Sequence, residues 1–234
     1  MQESRSALSV DRIVEVCREL LVEGGVDTVV VREVARRLSV SAPALYKYAA
    51  GRDDLLTLLI ASCHDGVAVA CDQARESVDA ADSPGQLLAA THAFRLWALQ
   101  HPREFGLLYG QPIVGYQAPP DGPTTASAQR FGTVFASIYG QLLRDGRLRL
   151  PAVDELPEGF EASLAGDPLP REHRLPPTAV YQFVVGFQRM LGLVSVEVAG
   201  HLDWAMTDTD NFAARQLREL HDELILPESG IRRG

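Results

Sequence analysis

The 234-residue sequence predicts an all-α fold in two parts: a three-helix N-terminal domain over residues 1–52 and a larger helical domain over 53–234. Three observations carry that expectation. Apolar residues recur at spacings of three and four along most of the chain, the pattern of helices with one buried face. Gly- and Pro-rich stretches such as AADSPG (80–85) and the run 117–123 punctuate these segments. Finally, VREVARRLSVSAPALYKYAAGRDDLLTLLI (31–60) holds helical spacing interrupted by a tight turn, which reads as a helix-turn-helix.

The first helix spans Leu8 to Glu23, with Ile13, Val16, Cys17, Leu20 and Leu21 as its apolar stripe. Gly24-Gly25 ends it, because glycine readily takes the left-handed conformation of a helix terminus. The second helix begins near Val30 or Val31. Valine caps poorly, a loss of about 1 kcal/mol, and Thr28 is the expected substitute, starting the helix earlier. Val34, Leu38, Val40 and Leu45 pack the second helix on the third, and Ala35 lets their backbones approach. The third helix is expected from Ala42 to Tyr48. Ser41 stands at its N-cap with a hydroxyl able to accept from an orphan N–H, and Pro43 lies in the first turn, where a missing N–H costs little. A short helix with a polar start and an aromatic end suits entry into a major groove N-terminus first.

A long helix follows from Asp53 to about Val78, then helices over 84–100 and 103–110, the second set off by His101-Pro102. Residues 124–145 repeat Phe131, Val134, Phe135, Ile138, Leu142 and Leu143 on one face. Six prolines mark 150–177 as a long connection, the kind that serves as a lid or functional loop or is disordered. Helices over 178–200 and 210–226 close the chain.

The net charge of −9 argues superficially against nucleic acid, but local potential matters more than the sum. Between Thr28 and Arg52 the cations Arg32, Arg36, Arg37, Lys47 and Arg52 face one anion, Glu33. Arg36 and Arg37 belong equally well to a solvated face. No run of about 18 uninterrupted apolar residues and no signal-peptide core is present, so a cytoplasmic protein is expected. Cys17, Cys63 and Cys71 have no metal-ligand spacing and read as reduced thiols packed as small hydrophobes. No nucleophile elbow, phosphate-cradling loop or zinc motif is found, and the six histidines are scattered singly, so neither an enzyme nor a cofactor is expected.

From Ile13 to Leu59 the chain resembles the DNA-binding domain of the TetR/AcrR family of transcriptional regulators. The resemblance rests on the amphipathic first helix ending in Gly24-Gly25, then VREVARRLSVS, ALYKY and RDDLL, in register. Val30, Ser39 and Ala49 depart from it, where a Ser or Thr, a glycine and an aromatic are usual. RLWALQHPREFGLLYGQPIVGYQAP (95–119) is similar to the WHG type of C-terminal domain through Trp97, His101-Pro102 and Gly115-Tyr116. Taken residue by residue, Trp97 reads as core and His101 as a helix cap.

The resemblance implies a homodimeric regulator, a repressor released from a near-palindromic operator by a small molecule; the alternative is an interaction module of the same fold that has lost specific DNA binding. It places Arg32, Ser41, Ala42, Pro43, Ala44 and Lys47 at base edges or in the groove, and Tyr46, Tyr48 and Arg52 at phosphates. The two last helices would pair with their copies, with Phe187 and Val194 on the shared face. Trp97, Phe105, Tyr109, Phe131, Phe135, Tyr139, Phe183 and Phe187 are the candidate ligand-binding residues, with His92 and Gln188 as polar neighbours and 150–177 as a cover. Read one by one, each ring fits a filled core better.

Overall fold

A computed structural model of the chain describes residues 8–164 and 174–227. Residues 165–173, which include Pro168, Pro170 and His173 of the proline-rich connection, lie outside the described part. The helices are α1 (Val10–Gly24), α2 (Val31–Leu38), α3 (Ala42–Leu45), α4 (Arg52–Glu76), α5 (Ser83–Gln100), α6 (Pro102–Tyr109), α7 (Pro123–Arg144), α8 (Phe160–Ser163), α9 (Pro177–Val198) and α10 (Asp210–Leu224). Most bounds fall within two residues of those the sequence predicts, because the stop signals are local. Extended pairing among the described residues amounts to one antiparallel bridge, Leu148 with Ile225, flanked by Arg149 N–H to the Leu224 carbonyl and Leu226 N–H to the Arg147 carbonyl.

The chain folds as two compact units whose boundary differs from a cut at residue 52. One unit takes the described residues up to Gly66 together with His101–Ala128, and the other takes Val67–Gln100 together with the described residues from Gln129 onward. A linear domain boundary cannot express that the chain leaves a unit and returns to it.

In the first unit, Ile13, Val16, Cys17 and Leu20 of α1 are buried with Val34 of α2, Leu45 of α3 and Leu55, Leu59 and Cys63 of α4. α6 returns to pack on α1. The Arg18 guanidinium donates to Ser62 Oγ at 3.0 Å and lies 3.2 Å from the buried Glu104 carboxylate, so one cation ties α1, α4 and α6. The Tyr116 hydroxyl lies 3.0 Å from Thr57 Oγ1, just after Gly115, which adopts a positive φ of 78°. The His-Pro and Gly-Tyr signatures are therefore framework. His101 occupies the position before α6 but makes no side-chain cap there, contrary to expectation; its Nδ1 is 3.4 Å from Glu104.

In the second unit α5, α9 and α10 pack on one another. Arg95 of α5 is buried with Glu197 of α9, donating through Nε at 2.7 Å and Nη2 at 2.5 Å. Glu197 also accepts from the Thr209 hydroxyl at 2.7 Å, and Arg95 reaches Asp210 at the start of α10 at 2.6 Å. Helical periodicity gives no sign of this network.

Two helices, α4 and α9, are long and apolar enough to cross a membrane by length and composition, although neither holds an uninterrupted apolar run. Half of the α4 window is buried within the protein, whereas only 22% of the α9 window is. α9 exposes Val184 and Val196, and α10 exposes Phe212. Val194, by contrast, is fully buried, so the face turned outward differs from the one expected.

Removing one partner of a buried, hydrogen-bonded ion pair leaves the other charge uncompensated at about 3–5 kcal/mol. Glu197→Ala is expected to destabilise the second unit by that much in urea denaturation. Pairing Glu197→Leu with Arg95→Met should recover most of the loss.

Candidate DNA-binding face and the cavity of the second unit

The helix-turn-helix is built as its residues dictate, with three local corrections. α1 starts at Val10, and its cap is Ser9, whose hydroxyl accepts from Arg12 N–H at 3.2 Å. Thr28 does not cap α2. It ends a short 3₁₀ turn, Val26–Thr28, and its hydroxyl serves the Leu20 and Gly25 carbonyls, leaving Val30 at the N-cap without a side-chain bond. Ser41 likewise stands at the N-cap of α3 with no side-chain cap bond.

α2 closes on Ser39 in the left-handed conformation (φ 54°, ψ 38°), with Val40 N–H bonding back to the Ala35 carbonyl at 3.0 Å, a Schellman closure. A serine there bears a steric cost that glycine avoids. α3 is regular only to Leu45, not to Tyr48; the Leu45 carbonyl then accepts from both Tyr48 and Ala49 N–H as the helix tightens into turns. Ala49 is 1% exposed, so its departure from the family pattern falls in the core, away from any groove.

Of the expected DNA contacts, Arg32, Ser41, Pro43, Tyr46, Lys47 and Tyr48 are exposed, while Ala42 and Ala44 are half-buried. Among the described residues Arg32 and Lys47 have no carboxylate partner; the other cations of the segment do. Arg36 forks onto Glu33 at 3.0 and 2.6 Å. Arg37 meets Glu23 at 2.5 Å, Glu33 at 3.5 Å and Glu19 at 3.7 Å. Arg52 Nη2 donates to the Val26 carbonyl at 3.2 Å and lies 3.4 Å from Asp27, and the Tyr48 hydroxyl donates to the Leu8 carbonyl at 2.9 Å. Folding thus brings Glu19, Glu23 and Asp27 onto a segment that is strongly basic in sequence. The Arg36 hydrogen bond is the main reason that the Glu33 carboxyl is held down to about 2, with Arg37 assisting.

The aromatic residues proposed from sequence divide between the units. Phe105 and Tyr109 belong to the first, where their rings pack 5.2 Å apart, and His64 meets Tyr109 edge-on. Trp97 is buried in the second unit and does not line the cavity between α5, α7, α9 and α10. Phe135, Tyr139, Phe183 and Phe187 come together around a small cavity of about 30 Å³ between α5, α7, α9 and α10. Phe131 stands behind them, 5.4 Å from the Phe135 ring and 6.3 Å from that of Phe187. Neither His92 nor Gln188 lines the cavity. The wall is completed by Leu87 and Thr91 of α5, Gly186 and Met190 of α9, and Leu217, Leu220, His221 and Leu224 of α10. Sequence reasoning assigned the α10 stripe to a subunit interface, because periodicity reports a buried face and not its partner. The three cysteines are buried, and burial pushes each thiol up to about 12, which keeps them protonated and unreactive at neutral pH.

This geometry, a unit in which α1 to α3 present the second element of a helix-turn-helix to solvent and a larger helical unit built from the rest of the chain, defines a helix-turn-helix DNA-binding protein. Residues 13–59 match the model for bacterial regulatory proteins of the tetR family, and residues 87–220 match the tetracyclin repressor-like C-terminal domain. An HTH-type transcriptional regulator of Mycobacterium tuberculosis is 31% identical over 192 residues, covering 81% of this chain and 80% of that one. In fold, the chain is similar to a protein of unknown function from Rhodococcus sp. RHA1 (TM-score 0.71, 19% identity, 96% of this chain and 100% of that one). It is also similar to a bacterial regulatory protein in the tetR family from Rhodococcus RHA1 (TM-score 0.60, 17% identity, 94% and 98%). The chain belongs to the TetR family, and is a transcriptional regulator.

Two measurements follow from the local geometry. Ser39→Gly should raise the melting temperature of the first unit, by roughly 0.5–1 kcal/mol of stability, since the left-handed position is relieved and nothing else is lost. For Glu33, the folded carboxyl is depressed from its ordinary 4.5 to about 2, so its contribution is present above pH 4.5 and is lost as pH falls toward 2. The melting-temperature gap between the wild type and Glu33→Gln should hold steady from pH 7 to 5 and narrow between pH 4.5 and 2.

Proposed function

We propose that this regulator is a cytoplasmic repressor that binds a near-palindromic operator as a homodimer and is released from it by a small molecule. The observation that carries the DNA-binding part is the outward face of the helix-turn-helix. There Ser41, Pro43, Tyr46 and Lys47 are exposed, and Arg32 and Lys47 keep uncompensated charge on an otherwise acidic protein. Arg32, Ser41, Ala42, Pro43, Ala44 and Lys47 read the groove, and Tyr46 holds phosphate. Tyr48 and Arg52 hold phosphates only by exchanging or sharing their bonds to the Leu8 and Val26 carbonyls. The exposed apolar residues of α9 and α10 support pairing with a second copy, which sets two reading heads on a two-fold axis about one helical turn, roughly 34–36 Å, apart. A ligand in the second unit releases DNA only to the extent that it binds the non-DNA form more tightly. Loss of DNA binding, the rival reading, keeps support only from the uncapped Val30, because Ala49 is core and Ser39 already adopts the conformation the turn needs.

A mobility-shift assay on DNA upstream of the chain's own coding sequence tests this; no retarded species at low salt would end it. Arg52→Ala should weaken specific and random DNA alike and lower the salt slope by about one per subunit. Arg32→Ala should cost roughly 1–3 kcal/mol per half-site and relax specificity, and equal losses on both DNAs would remove it as a reader. Val184→Glu with Val196→Glu should give monomers by sedimentation and abolish specific binding together, while leaving the helical content intact.

A further inference from the structure

The second unit carries one feature that packing alone does not explain. Tyr139 of α7 is 3% exposed, and its hydroxyl borders the cavity with no hydrogen bond to another described residue. A tyrosine hydroxyl at an apolar wall offers a donor that packing does not require, since Phe would fill the same space. The hydroxyl lies at the cavity wall, above Gly186, where a Cβ would come within 2.6 Å of it. Glycine at that point of α9 leaves the hydroxyl clear. The other polar groups of the wall are already engaged. Thr91 donates to the Leu87 carbonyl at 2.8 Å and keeps only acceptor capacity. His221 places its two ring nitrogens against the Pro84 carbonyl, 3.0 Å, and Asp222, 3.1 Å.

We infer that this cavity is a recognition site for a small neutral molecule with an apolar or aromatic body and a single oxygen acceptor, which takes the hydrogen bond offered by Tyr139. This rests on the reading of the protein as a ligand-released regulator and specifies the chemistry of that ligand. No Lys or Arg lines the cavity, and the ring of His221 already faces the Pro84 carbonyl and the Asp222 carboxylate, so a carboxylate or phosphate would enter without a free counter-charge. The present volume of about 30 Å³ holds about one or two waters, so the ligand must open the site. The side chains that would give way are suited to it: Phe183 and Phe187 are only partly buried, and Met190 is unbranched and adaptable.

Three probes differing in one group test the inference on the full-length protein by titration calorimetry: acetophenone, ethylbenzene and benzoate. Acetophenone is expected to bind, ethylbenzene more weakly, and benzoate not at all. Tyr139→Phe should weaken acetophenone by about tenfold and leave ethylbenzene unchanged, as loss of one buried hydrogen bond requires. Gly186→Ala should abolish binding of both; if that variant fails to fold, Tyr139→Phe, which keeps the core shape, decides alone. The inference is overturned if benzoate binds as well as acetophenone, if Tyr139→Phe leaves acetophenone unchanged, or if no probe binds, in which case the cavity holds water only. The binding measurement contains no DNA, so the two readings fail separately. Acetophenone binding without any effect on an operator complex would leave the site standing and remove the release mechanism; a clear operator complex with no probe binding would remove the site and leave the DNA-binding reading standing.

Discussion

The Arg95–Glu197 pair is the constraint on which the second unit depends. Both side chains are nearly free of solvent contact, so each would be costly in isolation, and the pair is tolerable because its geometry is close to complete: two guanidinium nitrogens on the carboxylate, a further bond to Asp210, and a hydroxyl from Thr209. An apolar interface between α5, α9 and α10 could slide by a turn with little penalty. A fork-shaped ion pair cannot, because a shift would leave a buried charge unmatched. The strong elevation of the Arg95 guanidinium, caused first by the Glu197 hydrogen bond, keeps the cation charged under all ordinary conditions. The cavity lined by Phe135, Tyr139 and Gly186 sits among helices whose register this pair holds.

The first unit relies on the same kind of device in a looser form. Arg18 gathers Ser62 and the buried Glu104 around α1, while Tyr116 and Thr57 fasten the segment after α6. The acidic side chains of α1 and the following turn also reset the electrostatics of the reading head. Arg37 and Arg52 become structural cations through Glu19, Glu23, Asp27 and the Val26 carbonyl, and of the cations between Thr28 and Arg52 only Arg32 and Lys47 are without a carboxylate partner among the described residues. Exposed pairs of this kind add little stability.

Aromatic residues in a helical core serve two incompatible ends, dense packing and openings for ligands. Here the rings mostly pack: Phe131 against Phe135 and Phe187, and Tyr139 edge-on to Phe183 at 5.4 Å. What distinguishes the Tyr139 region is a hydroxyl that faces a cavity beside a glycine, a polar group at an apolar wall of the sort that functional sites retain.

Much of this was legible in the chain itself. Helix positions, the Gly24-Gly25 stop, the Ser39 turn and the apolar stripes of α1, α7 and α10 all follow from backbone preferences and from a 3.6-residue period, which are properties of a few neighbouring residues. The motifs from Ile13 to Leu59 also carried the family. Tertiary structure decided everything that required knowing which faces meet. Periodicity marks Val194, Leu217 and Leu220 as facing something apolar, and cannot say whether that is their own unit or a second copy. It cannot show that Phe105 and Tyr109 belong with the reading head while Phe135 and Tyr139 belong elsewhere, because the chain leaves the first unit at Gly66 and re-enters it at His101. Nor can it pair Arg95 with a glutamate 102 residues away, or Arg37 with Glu23, since ion pairing depends on distance in space and sequence spacing fixes that distance only within a helix turn or two.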